Sequence, residues 1–137
     1  MTTDVDANVV LDMLTGSSKE IESAYSAMRA AKLAGDLTIS SVAYAEVAVR
    51  FRSKTKTDDF FSLLNCEIQP LDEAAAFLAG QFYRQYKQRG VTRTRILTDF
   101  LIAAHAQSKA DRILNRDSRF FGASFPQLKA VRPEDLV

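Results

Sequence analysis

Tryptophan is missing from this chain of 137 residues, and cysteine and histidine occur once each. A lone Cys66 cannot close an internal disulfide and reads as a small buried hydrophobe. One cysteine with one histidine also cannot supply the ligands of a typical structural zinc site. No apolar run approaches the roughly 20 residues that span a bilayer, and the N-terminus shows no basic segment followed by an apolar one. These absences predict a cytoplasmic protein with no membrane partner. Charge of one sign is missing too: 18 Lys and Arg against 17 Asp and Glu leave a net charge of +1. That balance argues against a polycation that coats nucleic acid, yet it allows acids and bases to be segregated on different faces. Only three prolines and five glycines are present, and they punctuate elements instead of marking a linker. We expect one domain over 1–137, long enough to bury roughly two thirds of its unfolded surface.

What is present alternates between short apolar strands and patterned helices. Val9–Leu14 reads as a helix with Asn8 as N-cap, and a longer helix runs from about Lys19 to Leu33, closed by Gly35. Leu37–Ser40 alternates like a strand, and Ser41 caps a helix from Val42 to about Phe51. Arg52–Thr57 reads as a basic loop before a helix that starts at Asp58 or Asp59 and ends at Leu64. Glu67–Pro70 is a weak strand, and Asp72 caps a long helix to about Arg89, ended by Gly90. Asp99–Ala110 is a helix, Arg112–Leu114 a strand, Phe120–Gly122 a turn and Leu128–Val131 a last strand. Strands alternating with helices predict βαβ units and a parallel sheet covered on both faces. Ligands of such sheets sit beyond the carboxyl ends of the strands.

Four acids fall where that rule places a ligand: Asp6, Glu46, Asp99 and Asp117. Each has a plain structural explanation. Asp6 can cap a helix, Glu46 can pair with Arg50 four residues on, Asp99 suits a first helical turn, and Asp117 can cap the Ser118–Phe120 turn. Asp4 shares a strand face with Asp6 and competes for its role. Against these, Glu46 lies in one helical stripe with Val42 and Val49, and Asp99 shares its side with Ile102, Ala103 and Ala106. Convergence of all four at one rim would be costly without compensation. Two unit charges about 4 Å apart cost on the order of 4 kcal/mol at an effective dielectric of about 20. Clustered carboxylates therefore suggest a hard divalent cation and metal-assisted chemistry.

Four segments in order carry a family likeness: Asp6–Leu14, Ile39–Val47, Asp99–Ala106 and Asn115–Phe121. In these the chain resembles the PIN-domain family, and within it the small bacterial VapC-like toxins of toxin–antitoxin pairs. The resemblance implies a three-layer α/β/α domain with a central parallel five-stranded sheet. It also implies Mg²⁺ or Mn²⁺ as cofactor and endoribonuclease activity. It maps the acidic quartet onto Asp6, Glu46, Asp99 and Asp117 as metal ligands and catalytic residues, with Asn8 and Asn115 as supporting polar groups. It prefers Asp6 to Asp4, since only Asp6 has an Asn two residues on. A homodimer and a VapB-like antitoxin partner are further implications.

Cations beside the acids are the candidates to hold an RNA substrate: Arg93 and Arg95 before Asp99, Arg116 and Arg119 around Asp117, and Arg50, Arg52, Lys54 and Lys56 after Glu46. Of these we single out Arg93, Arg95 and Arg116. His105 and the tyrosines Tyr83 and Tyr86 read as packing residues. Two alternatives compete. A receiver-type phospho-acceptor module needs a central strand ending in Asp and a lysine ending the last strand, and the chain offers neither. A catalytically silent PIN-like binding module keeps the fold without the chemistry.

Overall fold

The computed structural model describes residues 1–90 and 95–136. Five strands are β1 (Thr2–Val5), β2 (Asp36–Ser40), β3 (Cys66–Gln69), β4 (Arg112–Leu114) and β5 (Ala130–Val131). Seven helices connect them: α1 (Ala7–Thr15), α2 (Ser18–Ala34), α3 (Ser41–Ala48), α4 (Lys54–Leu63), α5 (Glu73–Gln88), α6 (Leu97–Lys109) and α7 (Ser118–Ser124). The strands form one sheet in the order β3-β2-β1-β4-β5, every pair parallel. This is the expected three-layer arrangement.

The order has a consequence for function. The chain walks outward from β1 to β2 and β3, then returns to place β4 on the other side of β1. Right-handed crossovers put helices made on the outward walk on one face and those made on the return on the other. The reversal between β1 and β4 is a topological switch point, where an open parallel sheet leaves a crevice at its carboxyl end. Asp6 follows β1 directly and Asn115–Asp117 follow β4, so both open into that crevice.

Two aromatic clusters clamp the helices. Phe100 of α6 lies 5.2 Å from Tyr83 and 5.3 Å from Tyr86 of α5, and 5.2 Å from Phe120 of α7. Tyr44, Phe60 and Phe61 pack between α3 and α4 at 5.5–5.6 Å. Both tyrosines of α5 thus pack as expected, and truncating a fully buried ring such as Phe100 costs about 3–5 kcal/mol. Cys66 is buried, and burial pushes its thiol up to about 12, so it is an inert core residue. Gly35 closes α2 against the chain start. A Cβ there would lie 1.9 Å from the Met1 carbonyl oxygen, so no larger residue fits without moving Met1.

Several boundaries shift from their sequence expectation. Where more than one residue could cap a helix, the capping one has extended backbone geometry. Asp6, not Asn8, caps α1. Ser40, not Ser41, caps α3, and Ser41 instead accepts from the Leu71 amide. Ser53 caps α4 five residues before Asp58, whose carboxylate is engaged by Tyr44 and Lys54. Asp99 is the third residue of α6 rather than its start, and the Phe120 turn extends into the helix α7. Lys129 lies just ahead of β5, outside it. Among the described residues no helix is long and apolar enough to cross a membrane.

Candidate active site

Asp6 is the centre of the crevice. One carboxylate oxygen accepts from the Ala7 amide at 2.8 Å, which caps α1, and the other accepts from the Asn115 side-chain amide. Burial raises its pKa to about 7 against the ordinary 3.8. The Ala7 bond opposes this, the charges of Glu46 and Asp99 add to it, and Arg116 lowers it somewhat. Glu46 and Asp99 therefore stand close enough to Asp6 to repel it.

Glu46 comes from α3 and Asp99 from the first turn of α6, and these helices touch at the rim. The Glu46 carboxyl is pushed up by partial burial and then by the charge of Asp99. Among the described residues Glu46 makes no ion pair, so the exposed pairing with Arg50 is not formed. Asp99 accepts from the Ile96 amide at 3.3 Å, which pins its carboxylate to the helix start. Three acids from three elements therefore face one space.

Asp117 reaches the same crevice through Asn115. The fully buried Asn115 donates to Asp6 while its own carbonyl accepts from the Asp117 amide, so one side chain sets the spacing of both acids. Asp117 caps α7 through Phe120 and is ion-paired with Arg95, whose guanidinium also lies over the Phe120 ring at 4.6 Å. Asn8 accepts from the Arg116 amide at 3.4 Å and ties α1 to the turn after β4. Arg116 itself reaches Asp12 at 3.1 Å and Glu20 at 3.7 Å. Arg93 lies outside the described residues. Asp4 does not join the rim: it is buried within the sheet and accepts from Thr38 at 2.8 Å. His105 is buried away from the crevice against Gln69.

Bridging by Asn115 gives a testable outcome. Asn115→Ala leaves one Asp6 oxygen and the Asp117 amide without their partner. We expect a loss of about 1–3 kcal/mol in chemical denaturation and a fall of about 10–100-fold in divalent-cation affinity or activity. Retained affinity in a folded variant would remove Asn115 from the site.

The donor set suits a hard divalent cation: all its ligating atoms are oxygens, and the like charges of Asp6, Glu46 and Asp99 oppose one another without one. As the side chains stand, however, no three carboxylates among the described residues are close enough to hold an ion together. Sequence spacing missed Arg89, at the end of α5, which approaches α7 through Ser124 at 3.4 Å. Only the packing of α5 on α7 brings it near Asp117.

The PIN domain family model matches residues 5–125. Among solved structures, VapBC2 from Rickettsia felis bound to a promoter DNA fragment superposes with a TM-score of 0.72 at 20% identity, covering 96% of this chain and 98% of that one. VapBC-1 from nontypeable Haemophilus influenzae gives 0.72 at 20% identity, covering 98% and 99%. FitAcB from Neisseria gonorrhoeae gives 0.70 at 21%, with the same coverage. At such identities the likeness is one of fold. No curated protein sequence matches the chain.

Proposed function

Because this chain belongs to the PIN-domain family, we propose that it is a Mg²⁺- or Mn²⁺-dependent endoribonuclease, the toxin of a VapBC-type pair. The observation that carries this is the mutual repulsion of Asp6, Glu46 and Asp99 at the switch point between β1 and β4. Perturbed carboxylates of this kind cluster at functional sites, and a bound cation would offset their repulsion. Asp6, Glu46 and Asp99 would hold the ion, with Asp117 joining them from the far side of Asn115. When bound, such an ion supplies an acidified water and polarises a phosphoryl oxygen.

The chain's own residues do the rest. Asn115, through its amide, fixes the orientation of the Asp6 carboxylate. Arg95 neutralises Asp117 until a substrate phosphate competes for the guanidinium, and its planar fork suits that exchange. The same cation then offsets charge developing on the phosphate.

A VapB-like antitoxin, a homodimer and a cytoplasmic setting complete the proposal. Support comes from Leu33, Val49, Leu63 and Phe77, large apolar side chains exposed by 69–84% and of the kind that partners cover. A solved structure of the same fold is a toxin–antitoxin complex from Klebsiella pneumoniae.

Incubating the purified protein with a mixed RNA pool tests the activity. Cleavage with Mg²⁺ or Mn²⁺ that stops on chelation and resumes on adding excess metal is the expected result. An RNA pool left intact under all three conditions favours the silent binding module instead.

A further inference from the structure

A minority of the described cations are held in ion pairs, Arg95 with Asp117 among them. Lys54 pairs with Asp58, Lys109 with Asp72, Arg116 with Asp12 and Glu20, and Arg132 with Glu134 and Asp135. Arg89 and Arg119 are set apart by position: neither makes an ion pair among the described residues, as is true of several other cations, but these two line one cavity of about 240 Å³ between α5 and α7. Asp117 and Arg95 form the wall shared with the acidic crevice, and a second cavity of about 510 Å³ continues past Arg119 and Arg116. Two uncompensated positive charges thus sit directly beside the proposed cleavage site in a chain of net charge +1.

The floor of this cavity is aromatic. Arg89 lies over the Tyr86 ring at 5.6 Å and Arg95 over the Phe120 ring at 4.6 Å. Each guanidinium is therefore backed by a ring, and a guanidinium is itself a planar group on which an unpaired base can stack. Phosphate recognition accounts for the charge but not for these guanidinium–ring contacts. The volume falls below the roughly 300–1,000 Å³ of a closed small-molecule site, so the cavity suits one nucleotide of a longer strand.

We propose that the cavity between α5 and α7 is a nucleotide subsite for single-stranded RNA, with Arg119 and Arg89 on the phosphate flanking the cleaved one and the base stacked on the Arg89 and Arg95 planes. This deepens the ribonuclease reading and rests on it for the identity of the strand. A duplex cannot deliver an unstacked base here, so looped or single-stranded RNA is selected.

Binding can be separated from cleavage. Fluorescence anisotropy of a labelled 12-nucleotide single strand, with the full chain in chelator, reads affinity and its salt dependence. We expect the double variant Arg89→Ala/Arg119→Ala to bind at least about tenfold more weakly. Its slope of log affinity against log salt should fall by about 0.7, the value for one lost phosphate contact on a single strand. Replacing both by Lys should keep the slope and still lose affinity, because the charge remains and the stacking plane is gone. Both side chains are exposed, so an unchanged thermal midpoint shows that the variants fold. Unchanged affinity and slope in the alanine variant overturn the subsite. So does equal, equally arginine-dependent binding of a blunt RNA duplex, or displacement of the strand by adenosine monophosphate at matching concentration. A wild-type chain that shows the expected binding but cleaves no RNA sinks the nuclease reading and leaves the subsite standing. Cleavage by a double variant that binds as wild type does the reverse.

Discussion

Asp6→Asn is expected to cut RNA cleavage by at least about a thousandfold, a barrier increase of about 4 kcal/mol, while leaving the chelated protein equally or more stable. Stability is what separates this result from simple misfolding. Asn is as good an N-cap as Asp, so the 2.8 Å bond from Ala7 that starts α1 survives. What disappears is the charge that Glu46 and Asp99 repel. In the wild type the folded-state pKa of Asp6 is about 7 against an ordinary 3.8. The folded chain thus holds a proton that the unfolded chain has released, and without a cation its stability falls as pH rises through that window. The variant lacks this slope.

A second readout on the same pair makes the outcome sharper. An ion bound only by the folded state stabilises by about 2.7 kcal/mol at one hundred times its dissociation constant. Saturating Mn²⁺ should therefore raise the wild-type thermal midpoint and barely move that of Asp6→Asn. Equal shifts in both proteins would place the ion elsewhere, and cleavage surviving in the variant would remove Asp6 from the chemistry.

Much of this architecture is readable from local pattern, because βαβ chains repeat a helix-period stripe after each short apolar strand. β4 spans Arg112–Leu114 as the pattern predicts, and Asp72 caps α5 as expected. β1 is the harder case. Thr2-Thr3-Asp4-Val5 carries little apolar signal, yet it is the middle strand and Thr3, Asp4 and Val5 are all buried. Its polar groups are answered by residues far along the chain: Thr38 donates to Asp4, and Arg112 donates to Thr3 at 2.9 Å. No window of adjacent residues contains that compensation. The acids that face the crevice were legible for the opposite reason, since the strand end at Asp6, the first turn at Asp99 and the helical stripe that Glu46 shares with Val42 and Val49 are local features. Asn115 was visible only by family likeness, and its bridging of Asp6 to Asp117 is a tertiary fact. Arg89 shows the limit most plainly, being brought to α7 by ring packing around Phe100 and by nothing in its own neighbourhood.

Asp4 provides the other large effect, in stability instead of activity. It is fully buried, one carboxyl oxygen accepts from Thr38 at 2.8 Å, and the other has no partner. Burial raises its pKa to about 8, the Thr38 bond opposes this, and the charge of Asp6 adds to the rise. The sign follows directly. Below 3.8 both the folded and unfolded chains carry the proton, so the group costs nothing. Between 3.8 and about 8 only the unfolded chain releases it, and stability falls by about 1.4 kcal/mol per pH unit. Above that window the loss is complete and constant. Asp4→Asn removes the titration while keeping an oxygen for Thr38, and it places an amide where the unpartnered oxygen lies. That amide costs about 1–3 kcal/mol at every pH, so the diagnostic quantity is the pH trend, not the offset. Denaturation in chelator at pH 5 and pH 8 should show the variant gaining on the wild type by several kcal/mol as pH rises. Each kcal/mol corresponds to roughly 3–5 °C for a chain of this size. Cleavage by Asp4→Asn should stay within about tenfold of wild type, against the thousandfold loss at Asp6, because Asp4 lies inside the sheet and not on its rim. Parallel pH curves for the two proteins would show that Asp4 folds ionised, and a loss of cleavage matching that of Asp6→Asn would place it among the residues holding the cation.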